Sequence, residues 1–226
     1  MKQTWHHLLF AHWPVAAEEL EPLVPNPLQL DVFQGKAWIG VVPFDMSGIR
    51  LKHLPEIPFA SRFAEINVRT YVTIDHKPGV YFFSLDATNW LAVQAARLLY
   101  RLPYFYAEIE IKKQEGWIYY RSNRRGGKQP FAFEGKYRPA SKPFQSRQGS
   151  LEHWLTERYC FYTCHQNRLY RCDILHEPWM LQQAEAEIAD HSIVKCAGIE
   201  PANVQPLLHY SERKEVLIRG LDEVNV

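Results

Sequence analysis

No uninterrupted apolar segment in the 226 residues approaches the roughly 20 needed to cross a bilayer as a helix. The N-terminus lacks the positive stretch, apolar run and small-residue cleavage site of an export signal. Both absences predict a cytoplasmic protein with no membrane partner. An excess of charge of one sign is also missing: 26 Lys plus Arg stand against 25 Asp plus Glu, so no global field favours nucleic acid. Cysteine is scarce, with four residues and none before Cys160, and reduced thiols are expected in that compartment. Cys160-x3-Cys164-His165 with Cys172 lacks the paired Cys-x2-Cys knuckles of zinc modules, so neither a metal nor another cofactor is expected. The cationic run Arg121-Ser-Asn-Arg-Arg-Gly-Gly-Lys128 lacks the flanking residues of a phosphate-binding loop and reads as solvated. No internal repeat or low-complexity segment interrupts the chain.

What remains is rich in aromatics, 14% of the residues, and reads as one domain over 1–226. Short β runs bounded by turn residues recur from Trp5–Trp13 through Leu28–Phe33, Lys36–Phe44, Phe63–Ile74, Val80–Leu85 and Tyr104–Lys112 to Arg168–Leu175. Helices are expected at Val15–Val24, at Trp90–Arg101, at Leu151–Arg158 behind the cap Ser150, and from His176 to about Asp190. The second is apolar nearly all round and should be buried, with Asp86 or Thr88 capping it. About nine strands with three or four helices make an α+β, β-rich fold dominated by antiparallel hairpins. Pro55-Glu-Ile-Pro58 reads as a stiff loop at a pocket rim.

The stretch Phe63-Ala-Glu-Ile-Asn-Val-Arg-Thr-Tyr71 carries the most chemistry. Successive strand residues face opposite ways, so Glu65, Asn67, Arg69 and Tyr71 share one face while Ala64, Ile66, Val68 and Thr70 share the other. Such a face is either wet surface or the wall of a polar pocket; the large apolar residues on both sides favour the pocket. Tyr104 and Tyr106 fall on one face of a second alternating run and make a second candidate wall. His6, His7 and His12 cannot all share a strand face and read as structural.

Glu65-x-Asn-Val-Arg-Thr-Tyr-Val72, Gly79-Val-Tyr-Phe-Phe-Ser-Leu-Asp-Ala87, Leu102-Pro-Tyr104, Ser150-Leu-Glu-His-Trp-Leu-Thr-Glu-Arg-Tyr159 and His176-Glu-Pro-Trp179 resemble the YqjF-type family of uncharacterised bacterial proteins, nearly end to end. That family looks like a relative of acetoacetate decarboxylase, which implies a mostly antiparallel barrel or cone enclosing a ligand cavity, with peripheral helices. The decarboxylase's paired lysines follow a Gly-Tyr-Pro turn; the matching place here is Arg101-Leu-Pro103 followed by Tyr104 and Phe105, and neither can form an imine. Lys112 and Lys113 lie well downstream at a strand end and are no substitute. Glu65 resembles the glutamate lining the decarboxylase cavity.

The expectation is therefore a protein that binds a small carboxylate- or carbonyl-bearing molecule without Schiff-base chemistry, with Asn67, Arg69, Tyr71, Tyr104 and Tyr106 contacting it. The alternative is an enzyme using general acid–base catalysis at Glu65, and the third reading is a structural or interaction protein. Association into a homo-oligomer is left open.

Overall fold

A computed structural model describes residues 1–50, 61–126, 131–200 and 204–225. The Pro55–Pro58 loop, the end of the cationic run and the start of the loop after Glu200 lie outside the described residues. Twelve strands run in chain order among those described: β1 (Lys2–Val15), β2 (Gln29–Leu30), β3 (Ala37–Arg50), β4 (Phe63–Ile74), β5 (Lys77–Ala87), β6 (Tyr104–Gln114), β7 (Trp117–Arg124), β8 (Ala132–Pro139), β9 (Cys160–His165), β10 (Arg168–Leu175), β11 (Gln182–Asp190) and β12 (Leu207–Glu223). The helices are short: α1 (Ala17–Leu20), α2 (Trp90–Tyr100) and α3 (Leu151–Thr156), with single 3-10 turns at Glu21–Leu23 and Ser192–Ala197.

Nine strands close into a ring in the order β5, β6, β7, β8, β11, β12, β1, β3, β4 and back to β5. A second closure shares five of them. The N-terminal half of β5 pairs in parallel with β9 through Val80 and Tyr81, β9 pairs with β10, and β10 returns to β12. β5 and β12 are thus branch strands, each with different partners at its two ends. The C-terminal half of β5 takes β6 in parallel, which requires a crossover, and α2 supplies it.

β4 lies in the shared wall, and its alternation sends each face into a different interior. Ile66 and Val68 join Leu9, Val41, Tyr120 and Phe133 in the core of the larger ring. Glu65, Asn67 and Arg69 face the smaller ring, as the period-two pattern requires. Where β9 lies against β5, its side chains press on the β5 backbone at Gly79. A Cβ at Gly79 would stand 2.6 Å from Tyr162 Cε2 and 2.8 Å from Cys160 Sγ. Gly79→Ala should therefore destabilise the chain by about 1–3 kcal/mol through overpacking, read as a lowered urea midpoint at unchanged slope.

Four expectations are corrected. Residues 182–190 form a strand, not a helix: Gln-Ala-Glu-Ala-Glu-Ile alternates strictly, Ala184, Ala186 and Ile188 pack on the larger core, and β8 supplies the ladder. Pairing along β8 outweighs the helix propensity of Ala, Glu and Gln. α2 is mostly exposed; only Val93 is buried, while Trp90 and Leu98 are 58% and 80% exposed. Its apolar composition reflects no position inside the core. Its cap is Asn89, which accepts from Ala92 N at 3.0 Å, and Thr88 accepts from Ala64 N instead. Asp86 sits inside β5 and receives two hydrogen bonds from Arg124 at 2.8 and 2.9 Å. Part of the cationic run is therefore core rather than solvated loop: the Arg124 and Asp86 side chains are 5% and 0% exposed, and Arg124 Cζ lies 4.0 Å from the Phe105 ring centre.

Candidate functional site

A narrow hollow of about 80 Å³ lies among residues of the smaller ring. Every strand of that ring contributes to its lining, and most of the wall is apolar: Phe10, Phe44, Phe82, Phe161, Trp179 and Ile218 are representative. The polar side chains are Gln3 on β1, Glu65, Asn67 and Arg69 on β4, Tyr104 on β6, Thr156 at the end of α3, Arg158 just beyond it, and His176.

At one end Glu65 is 2% exposed, and the Tyr104 hydroxyl donates to its Oε2 at 2.7 Å. The Tyr120 hydroxyl donates to the Glu65 main-chain oxygen at 2.8 Å and fixes the strand there. Burial pushes the Glu65 carboxyl up to about 7, against the opposing pull of hydrogen bonds from Tyr104 and Asn67. Burial, with the carboxylate beside it, holds the Tyr104 phenol well above its ordinary range. Glu65 can therefore stand protonated near neutral pH and donate or release that proton, while Tyr104 stays a donor.

At the other end are two guanidinium groups. Arg158 NH1 donates to Asp31 Oδ2 at 2.6 Å and Arg158 Nε to Trp154 O at 2.6 Å. Ser150 accepts from His153 N and starts α3 as expected, but the helix stops at Thr156, and Arg158 leaves it toward the hollow. Arg69 has no carboxylate within 4.0 Å among the described residues; its Cζ lies 5.5 Å from the Phe10 ring centre. Four buried polar atoms of the lining residues, Asn67 Oδ1, Arg69 Nε, Arg158 NH2 and Trp179 Nε1, have no hydrogen-bond partner among the described residues.

Glu65, Asn67, Arg69 and Tyr104 thus line one hollow. Tyr71 shares their face but lies behind the lining: fully buried, its ring 4.8 Å from Trp154 and its hydroxyl 2.6 Å from His12 Nε2. Tyr106 is 40% exposed and outside the hollow. β6 stays beside β5 only over Tyr104–Tyr106 and then swings into the larger ring, so the face that begins at the hollow continues as outer surface. The sequence reading missed Arg158, although the motif that contains it was in view. An arginine buried by an aspartate 127 positions away leaves no local signature. His176 and Trp179 also line the hollow, on the segment between β10 and β11.

No lysine lines the hollow among the described residues. Lys112 pairs with Glu110 at 2.8 Å and Lys113 with His7 at 2.6 Å, on β6 outside the smaller ring. His6 and His7 are hydrogen-bonded to Ser47 and Tyr210, and no group of three metal-ligating side chains occurs among the described residues. No helix there is long and apolar enough to cross a membrane.

Solved structures share the architecture. An acetoacetate decarboxylase-like enzyme from Sphingomonas wittichii RW1 aligns with 99% of this chain and 93% of its own at TM-score 0.66 and 14% identity. An acetoacetate decarboxylase aligns with 99% and 89% at TM-score 0.68 and 11% identity. The enduracididine biosynthesis enzyme MppR, complexed with pyruvate, aligns with 99% and 90% at TM-score 0.67 and 8% identity. At these identities the likeness establishes the fold, which is acetoacetate decarboxylase-like. At the sequence level, the uncharacterized protein YqjF of Bacillus subtilis (strain 168) is 49% identical over 217 residues, 96% of this chain and 89% of that protein. Residues 2–215 match DUF2071, an uncharacterized conserved protein family, and the chain belongs to it.

Proposed function

We propose that the hollow binds a small carboxylate- or carbonyl-bearing molecule without forming an imine. The observation that carries this reading is that side chains lining one space hold unmade hydrogen bonds: Arg69 Nε, Arg158 NH2 and Asn67 Oδ1 all lack partners among the described residues. Buried polar groups left unpaired are costly, and guanidinium groups answer best to a planar carboxylate taken in two parallel hydrogen bonds. Arg158 is already balanced by Asp31, so the unpaired charge is that of Arg69, and the ligand is a monoanion at that end. At the Glu65 end a protonated carboxyl and the Tyr104 phenol would serve a carbonyl oxygen. The apolar remainder of the wall suits a short hydrocarbon body.

The test is calorimetric titration with short oxo acids and hydroxy acids. Arg69→Ala should weaken every ligand that the parent chain binds by roughly 30- to 100-fold, the loss of a charged hydrogen-bonded pair. Undiminished affinity in that variant would remove the assignment.

The second reading makes Glu65 a general acid–base. It is favoured by a carboxyl held at about 7 beside a phenol that stays protonated. Turnover of a bound acid that disappears in Glu65→Gln, with binding retained, would establish it over simple binding.

A further inference from the structure

The pair behind the lining, His12 and Tyr71, plays no direct part in the reading above, yet both residues are completely buried. A wall that only packed could be built from Phe and Leu. Instead two polar side chains are sequestered against each other, with His12 Nε2 and the Tyr71 hydroxyl 2.6 Å apart and His12 Nδ1 left without a partner among the described residues. Which of the two donates is set by the imidazole tautomer, and either way the bond ties the Tyr71 ring to β1. Burial, with Arg69 and His209 nearby, holds the His12 imidazole well below its ordinary range and so neutral.

Two like charges lie against the ring so held. Arg158 Cζ is 5.0 Å and Arg69 Cζ 5.9 Å from the Tyr71 ring centre. Cation–π attraction to one ring offsets the repulsion that would drive two guanidinium groups apart, provided that the ring does not slide. The opposite strand makes room for this arrangement. Gly40 pairs with His12 on one side and Arg69 on the other, and a Cβ there would stand 3.0 Å from His12 Cδ2 and 3.4 Å from Arg69 Cγ.

We propose that His12 is a positioning residue for the anion-binding end of the hollow: through Tyr71 it fixes the spacing of Arg69 and Arg158, making them a two-arginine clamp for one carboxylate. The clamp rests on the reading that the hollow takes a carboxylate, whereas the fixing of Arg69 does not depend on it. His12→Leu and Tyr71→Phe each remove the hydrogen bond, and His12→Gln keeps an acceptor for the phenol.

Two readouts follow. The first is the ratio of affinities for propanoate, butanoate and 4-oxopentanoate over their uncharged amides. That preference should fall at least tenfold in His12→Leu and Tyr71→Phe and persist in His12→Gln, while amide affinity changes little. A merely structural role would weaken acid and amide alike. The second needs no ligand: the Arg69 Nε–H signal in a proton–nitrogen correlation spectrum, assigned by its loss in Arg69→Lys. It should be sharp in the parent and in His12→Gln and broadened in His12→Leu. An unchanged preference and a sharp signal in His12→Leu overturn the proposal. If the parent chain shows no preference for acids over amides, the ligand reading fails instead, and the Arg69 signal alone decides whether His12 positions the arginine. Should His12→Leu not fold, Tyr71→Phe carries both readouts.

Discussion

Replacing Glu65 by Gln should flatten the stability of the chain between pH 5 and pH 9. The folded carboxyl titrates at about 7 and a free glutamate at 4.5, so between those values the folded chain holds the proton that the unfolded chain has released. Stability from this group is therefore greatest at and below the lower value, falls as pH rises through the window, and is constant above it. The displacement is equivalent to about 3 kcal/mol at roughly 1.4 kcal/mol per pH unit. Urea unfolding at pH 5, 7 and 9 should show the parent chain losing that amount relative to Glu65→Gln, which retains a hydrogen-bond acceptor for Tyr104 but has no proton to exchange. Other titrating groups act in both chains and cancel in the difference. Parallel curves for the two proteins would mean that the carboxyl is not held in the neutral state, and the acid–base reading would go with it.

Arg124→Leu should be among the most damaging single substitutions, by about 3–5 kcal/mol. The Asp86 side chain is fully buried, and its two hydrogen bonds from Arg124 supply its charge balance. Burial already raises the Asp86 carboxyl, with Arg124 pulling it back down, so removing the arginine leaves a desolvated anion with nothing to oppose it. The variant should recover part of its stability as pH falls and Asp86 takes up a proton. Pairing it with Asp86→Leu should restore most of the loss, because two well-packed apolar side chains can replace a buried ion pair. Thermal unfolding of the single and double variants gives the coupling directly. A double variant no more stable than Arg124→Leu alone would mean that the site cannot repack without its charges.

The alternation of Phe63–Tyr71 was enough to place Glu65, Asn67 and Arg69 on one face, because period two is a local property of a strand. It could not show that this face would be enclosed. Enclosure depends on β9 and β10 returning to β5 and β12, contacts between residues more than 40 positions apart. The same limit explains Arg158 and Arg124, whose partners Asp31 and Asp86 are remote in the chain. Residues 182–190 failed for the opposite reason. Their composition favours a helix, and only the ladder with β8 decides against it. The apolar run of α2 misled because composition alone does not say which face a helix hides.

A partition one strand thick has consequences for both of the spaces it divides. Ile66 and Val68 never meet the smaller chamber, yet each is bonded to neighbours that form its polar wall. Trimming either side chain would let β4 relax toward the larger chamber and widen the gap between Glu65 and the arginines. Selectivity in the smaller chamber can thus be adjusted from behind the wall, by residues that no ligand touches.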